Sequence, residues 1–110
     1  LGNMWANINP KGASNTPHIH PNSHFSGVYY IATTSKCGVL KITDPRPGAQ
    51  SVMPIKKPEK SPKRLWRDVF IAPVPGRLVI FPAWLWHSVE TNESDKLRIS
   101  VSFNIIQQGF

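Results

Sequence analysis

The sequence has 110 residues, a formal net charge of +7, 40% hydrophobic residues and a single cysteine. This length suits one compact domain, so we expect a single domain over residues 1–110. No apolar run approaches the roughly 18 residues that a membrane span needs, and one cysteine cannot form an internal disulfide. These features argue against a membrane protein or a disulfide-rich secreted protein, and we expect a cytoplasmic location.

Eleven prolines and seven glycines divide the chain into short segments rich in Val, Ile, Tyr and Phe, and none of these segments has a helical pattern. Turn residues such as Pro21-Asn22 separate the segments. In chain order, the predicted strands are 4–9, 16–20, 27–33, 38–43, 68–72, 77–81, 87–90 and 97–105. About eight short strands on a chain of this length predict an all-β jelly roll or closed sandwich.

A basic, proline-rich segment at 45–67 interrupts this succession of strands. It is too long and too polar for a hairpin turn, so we expect an insertion loop, which often serves as a lid over a site. Its charge fits either a solvated loop or a rim that attracts an anionic substrate or nucleic acid. Aromatic residues are not interleaved with the charges, as a platform for single-stranded nucleic acid requires, so nucleic acid is the less favoured partner.

The last predicted strand has two faces of opposite character, because side chains alternate along a strand. Its apolar face consists of Leu97, Ile99, Val101, Phe103 and Ile105. Its polar face consists of Arg98, Ser100, Ser102 and Asn104. A polar face usually meets solvent, but it can also line a barrel interior that receives a charged ligand. Both interpretations remain open at this point.

Three histidines form a candidate metal site. His18 and His20 lie two residues apart, which on a strand places both rings on one face, and His87 follows a later apolar strand. Imidazoles from two distant strands can converge on one metal at a barrel mouth. For His87 alone, a buried core histidine with one hydrogen-bond partner is the alternative. His24 is expected to be exposed or to orient a ligand.

Three sequence blocks resemble one known family, the small 2-oxoglutarate/iron(II) oxygenases of bacteria and phages. The first runs from His18 through the Ser-Gly-Val-Tyr-Tyr motif at 26–30, the second is Gly-Arg-Leu-Val-Ile-Phe-Pro-Ala-Trp-Leu-Trp-His-Ser-Val at 76–89, and the third is Arg-Ile-Ser-Val-Ser-Phe-Asn at 98–104. In this order the three blocks extend the resemblance over residues 17–104, nearly the whole chain. Members of this family are usually longer at the N-terminus, and the sequence starts with Leu1, so we expect a truncated member.

The resemblance implies a double-stranded β-helix that binds Fe(II) at its open end and uses 2-oxoglutarate as cosubstrate. Related prolyl-hydroxylase-like enzymes bind iron through a histidine, a carboxylate two residues later and a distal histidine. The matching positions here are His18, His20 and His87. Arg98 matches the residue that pairs with the distal carboxylate of 2-oxoglutarate, and Ser100 and Tyr30 are further candidates for hydrogen bonds to it.

His20 departs from this pattern, since the usual ligand triad has a carboxylate at its position. No acidic residue lies between positions 1 and 43 that could replace it. Three functions therefore remain open: an oxygenase with a small-molecule or peptide substrate, a cupin-like metal protein, and a barrel that has lost its activity. The Arg98-x-Ser100 pair has no role in a cupin. Aromatic residues that could wall an oxygenase pocket are Phe25, Trp84 and Trp86.

Overall fold

The computed structural model describes residues 1–46, 48, 51 and 67–109. It is all-β, and the eight predicted strands are confirmed, with small shifts at their ends. The strands are β1 (Asn3–Asn9), β2 (Asn15–His18), β3 (Phe25–Ala32), β4 (Leu40–Thr43), β5 (Asp68–Ile71), β6 (Leu78–Pro82), β7 (His87–Val89) and β8 (Arg98–Ile105). The insertion predicted at 45–67 lies almost entirely outside the described residues. No described helix is long and apolar enough to cross a membrane.

The strands form two four-stranded antiparallel sheets. The first sheet has the order β1-β8-β3-β6, and the second has the order β2-β7-β4-β5. The pairs are nested, since β1 pairs with β8, β2 with β7, β3 with β6 and β4 with β5. Nested antiparallel pairing of the first half of the chain with the second half is typical of the double-stranded β-helix, the jelly-roll arrangement expected above.

The interior of this barrel is unusually polar. Among the described residues, the buried hydrophobic side chains are Tyr30, Cys37, Leu40, Phe81 and Ala83. The buried polar or charged side chains are Ser26, His87, Asn92, Arg98, Ser100 and Asn104. Burying a polar group is unfavourable unless it is hydrogen-bonded, and no buried side-chain nitrogen or oxygen of the described residues lacks a partner. The space between the sheets therefore contains polar side chains whose described buried atoms all have hydrogen-bond partners.

The orientation of β8 decides between the two interpretations of its polar face. Arg98, Ser100 and Asn104 are buried, whereas Leu97 on the other face is 47% exposed. The polar face therefore points into the barrel, and the apolar face lies on the outside of the first sheet.

The outside of the first sheet is an exposed apolar surface, which we call the outer apolar face. It consists of Met4, Ile8, Phe25, Tyr29, Leu78 and Ile80. Register pairs such as Tyr29 with Leu78 and Met4 with Phe103 place these residues on one side of the sheet. Gly27 lies there as well, and a Cβ at this position would collide with the Phe103 ring. A larger residue at position 27 would therefore displace the Phe103 ring from its place on this face.

Candidate metal centre

Three histidines converge at one end of the barrel. His18 ends β2 and is the register partner of His87, which begins β7. The ring centroids of His18 and His87 are 4.2 Å apart, and those of His20 and His87 are 5.0 Å apart. One nitrogen from each ring lies within 4.8 Å of the others. The structure thus brings together the three residues predicted to bind a metal.

His20 reaches this cluster by a different route from the one predicted. Strand β2 ends at His18, so the prediction that both histidines lie on one strand was wrong. The backbone N–H of His20 donates instead to the carbonyl of Ala83 at 3.0 Å, and a turn follows in which Asn22 has a φ of 67°. A loop contact with the segment after β6, and not strand alternation, therefore sets the position of His20.

The rings of His18 and His87 each make a hydrogen bond to a backbone carbonyl through Nδ1, which leaves Nε2 of each ring as the candidate metal ligand. His18 Nδ1 lies 2.7 Å from the carbonyl oxygen of Thr16, and His87 Nδ1 lies 2.8 Å from that of Leu85. A carbonyl only accepts, so both Nδ1 atoms carry a proton, and in a neutral ring the lone pair is then on Nε2. Neutral imidazoles with this proton arrangement are the form that binds metals.

The spacing of the free nitrogens fits a metal ion. His20 Nε2 lies 3.2 Å from His87 Nε2. Two nitrogens bound to one ion at about 2.1 Å are roughly 3.0 Å apart at a right angle and roughly 3.4 Å apart at a tetrahedral angle. The observed separation lies between these values, so the donor set and its geometry suit a divalent transition metal.

Burial favours the unprotonated form of His87 and His20. Desolvation lowers the pKa of His87 from 6.5 to about 4, with further lowering by His18 and His20 and an opposing hydrogen bond to Leu85. Desolvation and then the neighbouring His18 lower the pKa of His20, against a hydrogen bond to Asn104 that raises it. Metal binding requires unprotonated imidazoles, so both rings are ready to bind at neutral pH.

The metal-free protein should lose stability on mild acidification. The folded-state pKa of His87, about 4, lies below its ordinary value of 6.5. Between these pH values the unfolded chain binds a proton that the folded chain does not, so the free energy of unfolding falls as the pH drops, by up to about 3 kcal/mol. Urea unfolding in the presence of a chelator at pH 7 and pH 5 measures the part of this loss that falls between these pH values, about 2 kcal/mol. A His87→Gln variant with an equally steep pH dependence would contradict the assignment.

A cavity of about 80 Å³ extends inward from the histidines. Its lining includes Tyr30, Arg98 and Ser100, the three residues predicted to bind the cosubstrate. Tyr30 and Ser100 are register partners on β3 and β8, and Arg98 lies two residues from Ser100 on the same face. None of the described side chains that line the cavity is acidic. The cavity therefore combines neutral metal ligands at its mouth with a cation in its depth.

Arg98 is held in place by backbone carbonyls. It is 2% exposed, and its Nη1 donates to the carbonyl of Cys37 at 2.5 Å. Gly38 makes this approach possible, because it has a φ of 93° and a Cβ there would collide with the Arg98 guanidinium. Desolvation lowers the pKa of Arg98. Within the described part of the chain, no carboxylate forms an ion pair with this buried guanidinium.

Other aromatic and histidine predictions fall outside the cavity. Phe25, Trp84 and Trp86, which could have walled the pocket or packed around the barrel mouth, are 45%, 59% and 47% exposed and do not line the cavity. Phe25 lies on the outer face of the first sheet, and both tryptophans lie in the segment between β6 and β7. His24 is exposed, and its Nδ1 accepts a hydrogen bond from the Gln107 N–H at 3.0 Å, away from the metal cluster.

Two residues without a predicted role lie against the metal cluster. The Trp5 ring stacks on His20 with centroids 6.2 Å apart and an interplanar angle of 19°. Hydrogen bonding by Asn104 raises the pKa of His20, against the larger lowering by desolvation. The only sequence signal for Asn104 was its place on the polar face of β8. Nothing in the sequence distinguishes Trp5 from any other tryptophan on an edge strand.

Comparison with protein families gives one match that covers nearly the whole chain. The model of a family described as "Putative 2OG-Fe(II) oxygenase" matches residues 3–104, where 2OG stands for 2-oxoglutarate. The matched range includes all three histidines as well as Tyr30, Arg98 and Ser100. None of the curated proteins compared with the chain matches it.

Solved structures share this fold at low sequence identity. A prolyl-4-hydroxylase from Pseudomonas putida is 19% identical with a TM-score of 0.68, and the match covers 96% of this chain and 51% of that one. A 2OG-Fe(II) oxygenase family oxidoreductase from Burkholderia pseudomallei is 15% identical with a TM-score of 0.65, and the match covers 94% and 45%. A non-haem α-ketoglutarate-dependent epimerase from nogalamycin biosynthesis is 15% identical with a TM-score of 0.63, and the match covers 90% and 45%. The chain thus spans about half the length of these proteins.

Proposed function

Because the chain belongs to the 2OG-Fe(II) oxygenase family, we propose that it forms the catalytic barrel of an oxygenase that uses Fe(II), 2-oxoglutarate and dioxygen. The observation that carries the proposal is a single cavity with converging histidine nitrogens at one end and a buried arginine at the other. Neither feature alone distinguishes an oxygenase from another metal-binding barrel. Together they provide for a metal and for an anionic cosubstrate in one enclosed space.

His18, His20 and His87 are the residues that would hold the iron. When bound, Fe(II) supplies the centre at which oxidative decarboxylation of the 2-oxo acid is coupled to oxidation of a substrate C–H bond. The protein would contribute three imidazole nitrogens to the iron, and the adjoining cavity would receive the cosubstrate. The polar but enclosed interior limits access of bulk water to the reacting groups.

Arg98 is the proposed partner of the distal carboxylate of 2-oxoglutarate. Its planar guanidinium can pair with both oxygens of a carboxylate, which a lysine cannot do. The Cys37 carbonyl occupies one end of this guanidinium at 2.5 Å and so presets its orientation. Ser100 and Tyr30 are register partners beside it and can donate hydroxyl hydrogen bonds to the same anion. A dicarboxylate would supply the negative charge that the described lining lacks.

His20 supports a second candidate function, a barrel that binds metal without turning over 2-oxoglutarate. Three imidazoles leave the metal with its full charge, whereas the usual triad supplies one carboxylate. The extra positive charge favours binding of the dianionic cosubstrate but changes the electronic properties of the metal. Binding of 2-oxoglutarate alone does not separate this candidate from the oxygenase. An activity measurement is also needed, since only the oxygenase turns 2-oxoglutarate over.

We propose a small-molecule or peptide substrate, since the described cavity is lined by neutral polar and apolar side chains around one arginine. The region 45–67, where a lid is predicted, would contribute to substrate selection. We also propose a cytoplasmic location, supported by Cys37, a buried free thiol. Nucleic acid remains the less favoured partner.

An anaerobic titration with Fe(II) and 2-oxoglutarate tests the proposal. We expect the weak visible charge-transfer band of a chelated complex, and we expect it to disappear in His87→Ala. Arg98→Ala should weaken 2-oxoglutarate binding at least about thirtyfold, because it removes a buried charged partner. His24→Ala and Arg77→Ala serve as matched controls, since both residues are exposed. Iron binding by the wild-type protein without the band would overturn the oxygenase assignment in favour of a cupin-like or inactive barrel.

A further inference from the structure

Side chains of β1 and β8 form one polar wall of the cavity. Because side chains alternate along a strand, every second residue of each strand faces the cavity. The register pairs that line it are Trp5 with Ser102, Asn7 with Ser100 and Asn9 with Arg98. Trp5 marks the metal end of this wall, since its ring stacks on His20, and Arg98 marks the opposite end. Ser100 and Ser102 therefore lie between the candidate metal site and the buried guanidinium.

The side-chain amide of Asn7 has a defined orientation. The Trp5 Nε1–H donates to Asn7 Oδ1 at 3.1 Å. An indole nitrogen can only donate, so the amide oxygen of Asn7 faces Trp5 and its Nδ2 faces the serines. Asn7 Nδ2 lies 2.7 Å from Ser102 Oγ and, in a longer contact, 3.5 Å from Ser100 Oγ. The amide therefore donates to the serine oxygens and does not accept from them.

This donation determines the direction of the Ser102 hydroxyl. Because an amide NH₂ group only donates, Ser102 Oγ is the acceptor, and its own hydrogen points away from Asn7. Within the described part of the chain, neither Ser102 nor Ser100 donates its hydroxyl hydrogen to another side chain. Both serines line the cavity. Their hydroxyls are therefore available as donors to an anion that enters it.

We propose that Ser102 is a further cosubstrate-binding residue and that Asn7 is a positioning residue that makes its hydroxyl a donor to the cosubstrate. This inference rests on the cosubstrate site of the proposed function. The two carboxylates of 2-oxoglutarate accept hydrogen bonds and cannot donate them. An isolated serine could turn either its oxygen or its hydrogen toward the ligand, whereas the contact with Asn7 favours the hydrogen. The wall between the candidate metal site and Arg98 thus presents donors to an acceptor.

Two replacements of Ser102 with the same shape isolate the contribution of its hydroxyl. Ser102→Thr keeps the hydroxyl and Ser102→Val lacks it, so both share any cost of a bulkier side chain. In the Co(II)-loaded protein, we expect 2-oxoglutarate to bind the Ser102→Val variant about tenfold or more weakly than Ser102→Thr, because a hydrogen bond to a charged group is lost. Isothermal titration calorimetry measures both dissociation constants. The two variants should bind Co(II) equally well, since Ser102 is not a candidate metal ligand.

Asn7→Leu tests the positioning role, because leucine has a similar shape but neither donates nor accepts. We expect about three- to tenfold weaker binding of 2-oxoglutarate in the wild-type background. The effect should be much smaller in the Ser102→Val background, where no hydroxyl is left to orient. A residue that only stabilises β1 would have equal effects in both backgrounds. Ile8→Ala is the matched control, since Ile8 is next to Asn7 but is 62% exposed and does not line the cavity.

Equal affinities of Ser102→Thr and Ser102→Val for 2-oxoglutarate would overturn the role of Ser102, and Ser102→Ala replaces the latter variant if it does not fold. An Asn7→Leu effect that is equal in both backgrounds, or no larger than that of Ile8→Ala, would overturn the role of Asn7. If Asn7→Leu does not fold, Trp5→Phe decides instead, because it removes the N–H that orients the amide. Failure of the Co(II)-loaded wild-type protein to bind 2-oxoglutarate would instead overturn the proposed function itself.

Discussion

Replacement of His20 with alanine is expected to lower the affinity for a divalent metal by roughly a hundredfold. Structural zinc sites with four ligands have apparent binding free energies of about 10–16 kcal/mol, or about 3 kcal/mol for each ligand. His20 Nε2 lies 3.2 Å from His87 Nε2, so it contributes directly to the donor set. Competition with a chromophoric chelator measures the change for Fe(II) and Co(II).

His20→Asp distinguishes loss of a ligand from a change in its charge. Aspartate restores the two-histidine, one-carboxylate set, so this variant should bind Fe(II) more tightly than His20→Ala. Its metal complex carries one positive charge less, and the affinity for 2-oxoglutarate should fall relative to the wild type. His24→Ala is the control, since His24 is exposed and contacts Gln107. An alanine variant with wild-type affinity would show that two histidines are sufficient.

Replacement of Asn92 with alanine is expected to lower the free energy of unfolding by about 3 kcal/mol, because it removes four hydrogen bonds made by one fully buried side chain. Asn92 is 0% exposed. Its Nδ2 donates to the carbonyls of Asn9 and Lys96 at 2.9 and 2.8 Å. Its Oδ1 accepts from Ser94 N and Oγ at 2.9 and 2.7 Å. This single side chain joins the end of β1 to the turn before β8.

Urea unfolding followed by circular dichroism measures this loss. Asn15→Ala, at an exposed position, should change the stability by less than about 0.5 kcal/mol. A midpoint for Asn92→Ala equal to that of Asn15→Ala would show that the turn before β8 unfolds independently of the barrel. Asn92 does not line the cavity. The folded Asn92→Ala variant should therefore bind a divalent metal with the affinity of the wild type.

Strand alternation predicted the two faces of β8 but could not predict which face points inward. The period of two fixes only that Arg98 and Ser100 share a side, opposite Leu97. A rule based on hydrophobicity alone would have buried the apolar face, whereas the structure buries Arg98 and Ser100. The interior of this barrel is arranged around polar groups, so the usual relation between polarity and exposure is reversed there.

The candidate site was predictable where its residues lie in short motifs and not where they meet across the sheet. His18, His20 and His87 could be identified from type and spacing, although the strand ended before His20. Trp5, whose ring stacks on His20, lies on β1, and β1 pairs with β8 from the opposite end of the chain. The register of that pairing depends on the whole fold, so it cannot be predicted from a local sequence pattern.

The outer apolar face of the first sheet has a consequence for how molecules of this chain behave toward one another. Contiguous exposed apolar surface tends to self-associate, and electrostatic repulsion between molecules of charge +7 opposes that tendency. Added salt screens the repulsion, and sulfate also strengthens apolar association. We therefore expect the isolated chain to stay monomeric in dilute chloride and to self-associate in concentrated sulfate.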